Sequence, residues 1–122
     1  VRWFAAARRQ PARCIYIAIA NGRTVGSGRL DFSDLGRLAE FGVIVAPQWR
    51  GHGYGTEIVR QLVAEARQMG AQQLVADVRR ENLASLVAFQ RAGFKRQRWQ
   101  PAAVFIDGGY VSDFVRMARR CD

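Results

Sequence analysis

The sequence predicts one mixed α/β domain in which two parallel strands are joined by a helix. Three observations carry this. The β-branched run Val43-Ile44-Val45 ends just before Pro47, a glycine-rich turn follows, and a helical pattern begins at once. That pattern leads into a strand-like stretch at residues 74–79, so the connection is a helical crossover, and the two strands run parallel with a right-handed link. A short second helix then reads from Asn82 and closes at Gly93. At 122 residues and 49% hydrophobic, the chain is long enough for one core and too apolar for a disordered segment.

The elements follow in order. Residues 2–10, rich in alanine, are expected to form a short helix ended by Pro11. Residues 14–20 read as an apolar strand, with Cys14 a small buried hydrophobe. Asn21-Gly22 is a strong hairpin signal, and residues 24–32 continue as the partner strand. A polar turn at Ser33-Asp34-Leu35-Gly36 precedes a strand over 38–45. After the glycine turn, Ile58, Val59, Leu62, Val63, Ala66 and Met69 fall on one stripe, and Gly70 is the expected C-cap. Residues 74–79 alternate as a strand. Leu83, Leu86 and Val87 are expected to form the buried face of the next helix. Residues 99–117 read as two strands around Asp107-Gly108-Gly109. There are no repeats, low-complexity tracts or linkers.

The formal charge is +9, nearly all of it arginine, with Lys95 the only lysine. Such a balance suits nucleic acid or anionic ligands. The arginines are spread along the whole chain, alanine is equally abundant, and no basic stretch is interleaved with aromatics. That distribution fits codon bias better than a nucleic-acid platform, so no nucleic-acid partner is expected. No apolar run approaches the ~20 residues of a membrane span, and no signal peptide is visible. The two cysteines, Cys14 and Cys121, lack metal-ligand spacing. Neither a metal nor a structural disulfide is expected, and the cytoplasm is the default compartment.

Chemistry concentrates in two segments. In Arg50-Gly51-His52-Gly53-Tyr54-Gly55-Thr56, three close glycines permit positive φ at a helix N-terminus, where free N–H groups and the helix dipole suit a phosphate. The simpler use of such a turn is geometric. Downstream, Asn82 is followed seven positions later by Phe89, and then by Gly93-Phe94.

Together these segments resemble the GNAT superfamily of acyl-CoA-dependent N-acetyltransferases. Its R/Q-x-x-G-x-G/A motif is matched by Arg50 to Gly55, and its later Asn, aromatic and Gly-Phe by Asn82, Phe89, Gly93 and Phe94. The resemblance covers about residues 14–117. It implies a central twisted sheet with parallel central strands splayed at the CoA site and helices on both faces. It implies acetyl-CoA as co-substrate, its pantetheine arm bonded to backbone at Val43, Ile44 and Val45. The pyrophosphate would meet amides of Gly51, His52, Gly53, Tyr54, Gly55 and Thr56, with Arg50 adding charge. Asn82 would face the cofactor arm, or cap its own helix, roles that are compatible.

The implied reaction is acetyl transfer to a primary amine of a small molecule or a protein N-terminus. At pH 7 a lysine-like amine of pKa ~10.4 costs about 4.6 kcal/mol to deprotonate, an α-amine near 7.8 only about 1. A carboxylate base therefore matters most for lysine-like acceptors. Glu40 stands where the family often holds the base, and Asp77 stands on the neighbouring strand. Either is otherwise an exposed strand carboxylate or a salt-bridge partner of Arg79 or Arg80. Phe89 replaces the family's frequent tyrosine acid. A thiol of pKa ~8.5 leaves readily, so water suffices, with Tyr54 and Tyr110 as substitutes or packing residues. His52 is expected to face the loop, Trp3 and Trp49 to pack, Trp99 to line an acceptor pocket or a half-buried strand, and Asp113 to match a closing pattern of the family.

Family members usually have a strand and one or two helices before the element at Cys14. Their expected absence leaves a sheet edge uncovered and favours a homodimer. Two other readings differ in class: a CoA-binding module without catalysis, and an acetyltransferase acting on aminoacyl-tRNA or ribosomal protein.

Overall fold

The computed structural model describes residues 2–9, 12–97, 104–106, 109–111 and 114–121. Strands β1 (Arg2–Arg9), β2 (Arg13–Ala20), β3 (Arg23–Ser33) and β4 (Leu38–Val45) form an antiparallel meander. Helix α1 (Tyr54–Gln68) crosses to β5 (Gln73–Arg79), and α2 (Leu83–Arg91) crosses to β6 (Lys95–Arg96). A separate hairpin of β7 (Val104–Ile106) and β8 (Gly109–Val111) precedes β9 (Phe114–Arg120). The main sheet has the order β1-β2-β3-β4-β5-β9-β6, and β4 with β5 is its parallel pair, as the crossover requires.

Local chemistry fixes the joints. Asn21 at φ 51° and Gly22 at φ 76° place both central residues of the β2–β3 hairpin in the left-handed region, the signature of a type I′ turn. In α1 the residues Ile58, Val59, Leu62, Val63 and Ala66 are all buried, as the stripe predicts. Gly70, at φ 91°, ends the helix, and Ala71 N–H reaches back to the Ala66 carbonyl.

Both crossovers step across the sheet in the same direction, so right-handed connection puts both helices on one face. That face carries Tyr16, Leu30, Phe41, Leu74, Ala76, Val115 and Met117, all buried against the helices. The opposite face carries Arg29, Glu40, Asp77 and Arg116 and has no described helix over it, whereas the sequence reading expects helices on both faces. Among the described residues no polar or charged side chain is buried.

Three expectations are corrected. Residues 2–9 form a strand, not a helix: pairing with β2 satisfies their backbone and overrides the helix preference of alanine. The edge at Cys14–Ala20 is consequently covered, which removes the stated motive for a homodimer. In α2, Leu83 is 69% and Val87 41% exposed, and the buried positions are Leu86, Ala88 and Phe89. The last segment contributes three strands where two were expected. Cys14 is buried, and Cys121 is half-buried against the core; both are free thiols. Trp99 and Asp113, and the side chains of Trp3 and Tyr110, lie outside the described residues.

Candidate active site

The site begins where β4 and β5 part. They are paired at Leu38–Gln73, Ala39–Leu74 and Glu40–Val75 and no further, although β4 runs on to Val45. The edge of β4 from Phe41 to Val45 therefore faces an opening in place of a neighbouring strand. A cavity of about 450 Å³ occupies it. Its walls include Glu40, Val43 and Ile44 from β4, Asp77 and Arg79 from β5, and Asn82 and Phe89 at α2.

The glycine turn stands past the end of β4. Gly51 and Gly53 have φ of 80° and 82°, and Gly53 is the N-cap of α1. Side chains there would be strained whatever the space. Gly55 serves packing instead: a Cβ at that position would lie 3.6 Å from both Val45 and Ala88, so the first turn of α1 rests on β4 and α2. Among the described residues the amides of 51–56 donate to no backbone carbonyl, and Glu57 N–H to Gly53 O, at 3.3 Å, opens the helical ladder. Residues Gly51 to Thr56 thus present free N–H groups at the positive end of a helix of 15 residues.

The turn is braced by side chains. Arg50 Nε donates to the Val45 carbonyl at 3.3 Å, tying the turn to the end of β4. His52 Nδ1 lies 3.1 Å from Trp49 O and 3.0 Å from Arg50 O. Both partners only accept, so Nδ1 carries the hydrogen. The His52 and Tyr54 rings stack at 6.0 Å, and Trp49 meets both edge-on. Trp49 packs as expected and His52 belongs to the loop.

The two carboxylates differ. Asp77 is held by Arg116 through two bonds, Nε to Oδ1 and Nη2 to Oδ2, each 2.9 Å. That bond raises the Arg116 pKa, against a smaller opposing effect of desolvation, and the charge of nearby Glu40 adds to it. Arg79, an expected partner of Asp77, bonds instead to Glu81 at 3.5 Å. Glu40 is exposed and makes no ion pair among the described residues. Asn82 Oδ1 accepts from Ser85 N–H at 3.2 Å, the capping role, and the residue also lines the cavity. Phe89 is buried and packs edge-on against Phe94 at 5.0 Å and tilted against Phe41 at 6.3 Å. It closes the cavity floor and has no proton to give. Arg116 and Arg29, both bordering this face, were not read as site residues; their strand alternation is the one signal that places them there.

The profile of the Acetyltransferase (GNAT) family matches residues 1–94. An uncharacterized N-acetyltransferase of Bacillus subtilis, YfmK, is 27% identical over 99 residues, 81% of this chain and 66% of that protein. A second from the same organism, YobR, is 36% identical over 52 residues, 43% of this chain and 21% of that protein. The chain thus spans just under two thirds of the first relative's length. Among solved structures, spermidine N-acetyltransferase from Vibrio cholerae with CoA and spermine superposes with a TM-score of 0.76 at 20% identity, covering 90% of this chain and 66% of that one. A Bacillus subtilis acetyltransferase with CoA gives 0.72 at 20% identity, over 92% and 79%. At these identities the structural matches speak for the fold alone. The family profile, extending over more than half the sequence and through both the glycine turn and Asn82, carries the assignment: this chain belongs to the acetyltransferase (GNAT) family, whose members use acetyl-CoA.

Proposed function

We propose that this chain is an N-acetyltransferase that moves the acetyl group of acetyl-CoA to a primary amine of a small molecule or a protein N-terminus. The observation that carries the reading is the parting of β4 from β5 beside a turn of free amides. Val43, Ile44 and Val45 offer backbone groups to the pantetheine arm, Gly51 to Thr56 offer amides to the pyrophosphate, and Arg50 adds charge. Asn82 contributes its NH₂, and Phe89 the apolar floor.

Acetyl-CoA supplies the thioester; the chain supplies position and a proton acceptor. Glu40 is the base, directly or through a water. Asp77 is second to it, because its two oxygens are engaged by Arg116. With Phe89 buried and aprotic, the leaving thiolate takes its proton from solvent. The test is amine-dependent release of CoA. Glu40→Gln should lose turnover at pH 7, and the loss should shrink as pH rises above the amine's pKa. If Glu40→Gln retains full turnover while Asp77→Asn does not, their roles are exchanged.

Phe89 and the neutralised Asp77 also favour a second reading, a module that binds CoA without catalysis. Tight binding of acetyl-CoA with no amine-dependent thiol release would establish it. A cytoplasmic setting is part of the proposal, supported by the free thiols of Cys14 and Cys121. No described helix is long and apolar enough to cross a membrane. Assembly as a homodimer would need a motive other than an open edge at β2, since β1 covers it.

A further inference from the structure

On the face that carries Glu40, one cation is seated by a glycine. Arg29 on β3 pairs in register with Gly42 on β4. A Cβ at Gly42 would lie 3.0 Å from Arg29 Cζ and Nη2 and 3.3 Å from Nε. The guanidinium therefore lies across β4 in the space a side chain would fill. Its Nε bonds Asp31 at 2.8 Å, and neither Nη group has a hydrogen-bond partner among the described residues. Asp31 also holds Arg13 through its other oxygen. One carboxylate serves two guanidiniums, so this corner of the face carries excess positive charge.

Acid to balance it is scarce. Asp77 is committed to Arg116, and Glu40 is left as the cavity carboxylate without an ion pair among the described residues. Glu40 and Gly42 lie on the same face two residues apart, about 6.6 Å along a strand. A guanidinium held by Asp31 through Nε alone, with both Nη groups left over, and a carboxylate without an ion pair among the described residues thus both line the cavity, with Ile15, Ile44 and Phe114 as apolar wall.

We infer that the acceptor is an amine with a carboxylate on the adjacent carbon, an α-amino acid with an apolar side chain. The inference rests on the acetyltransferase reading. Arg29 takes the acceptor's carboxylate and the amine faces Glu40. The amine nitrogen bonds the acetyl carbon as its C–S bond breaks, the proton passes to Glu40, the electron pair leaves with the CoA sulfur, and the product is an N-acetyl amino acid. A polyamine meets the reverse: its extra cations face Arg13, Arg29 and Arg116 with no spare carboxylate beyond Glu40.

The experiment measures CoA release from acetyl-CoA at pH 7 with L-leucine, L-leucinamide and spermidine. A charge-assisted bond of this kind predicts a kcat/KM for leucine roughly ten- to a hundred-fold above leucinamide. The amide has the less basic amine and so more of its reactive form, which makes that preference diagnostic. Arg29→Met should bring leucine down to the level of leucinamide through KM, with Arg29→Lys recovering part. Gly42→Ala, which displaces the guanidinium, should shift the ratio the same way. Preference of the wild type for leucinamide or spermidine overturns the inference alone, as does an Arg29→Met that lowers leucine and leucinamide by the same factor. Absence of turnover with all three amines, in a folded protein that binds acetyl-CoA, overturns the acetyltransferase reading and this inference with it.

Discussion

Replacing Gly26 with alanine probes the contact that sets the position of β4. A Cβ there would collide with the Ile44 carbonyl oxygen and lie 3.1 Å from Ile58 Cδ1 and 3.2 Å from Val45 Cα. Two of these three atoms are backbone, so no rotamer change relieves the crowding, and β4 itself must move. Overpacking of this kind costs about 2–3 kcal/mol, the upper part of its usual range. Removing a mid-strand glycine returns roughly 0.5–1 kcal/mol, leaving a net loss of about 1–2.5 kcal/mol. At about 2.1 cal/mol/K per residue, a chain of 122 residues has an unfolding entropy near 0.26 kcal/mol/K, so Tm should fall by roughly 4–10 °C. Calorimetry on purified protein reads this directly. Gly42→Ala is the control, because the three atoms nearest its Cβ all belong to the movable guanidinium of Arg29, and its Tm should stay within about 2 °C of wild type. A Gly26→Ala that melts no lower than that control would refute the claim that backbone approach positions β4.

Three further outcomes are expected. Gly53→Glu should abolish acetyl-CoA binding by calorimetry while circular dichroism shows a retained fold, since the φ of 82° adds only about 1–2 kcal/mol of strain. Tight binding by that variant would remove the turn from the site. Leu62→Ala, at a fully buried position in α1, should cost about 2–5 kcal/mol in urea unfolding, and a cost under 1 would mean the α1 stripe is not core. Asp77→Asn breaks a half-exposed pair and should cost under about 1 kcal/mol after solvent screening. Arg116 has its pKa raised, first by the bond to Asp77, so its contribution is fully present at every pH below the ordinary guanidinium range and is lost only in stronger alkali. The cost seen from the Arg116 side should be flat between pH 6 and 9, and a steep change there would place another titrating group at the pair.

The legible parts of this chain were those whose signal is local. The bounds of the strand over 38–45, the turn at Asn21-Gly22, the α1 stripe and the glycine turn all depend on residues within a few positions of one another. Residues 2–9 misled because three alanines favour a helix when read alone, and only β2, met later in the chain, supplies the pairing that makes them a strand. Leu83 and Val87 misled for a related reason. A nine-residue helix holds few turns, and its buried side is set by Phe41 and Phe94, which close around Phe89. The site divides in the same way. Glu40 and Asp77 were readable as strand carboxylates, but the bond from Arg116 to Asp77 joins residues 39 apart through the β5–β9 register. The seating of Arg29 over Gly42 similarly exists only once β3 and β4 are aligned.

The short seam between β4 and β5 also bears on how a guest enters. Three paired positions hold the two halves of the sheet together, while α1 and α2 brace the fold from one side like the spine of a book. Because the pages are already parted beyond Glu40, a guest has no ladder of hydrogen bonds to unzip on the way in. On the proposed reading the pantetheine arm would lie there as a surrogate strand, giving the bare margin of β4 the partner that β5 withholds. Occupancy then becomes a mechanical brace across the seam, and the protein should resist heat and denaturant in proportion to the logarithm of free ligand over its Kd. The opening is built into the resting chain, so tightness of binding and stiffness of the sheet rise together.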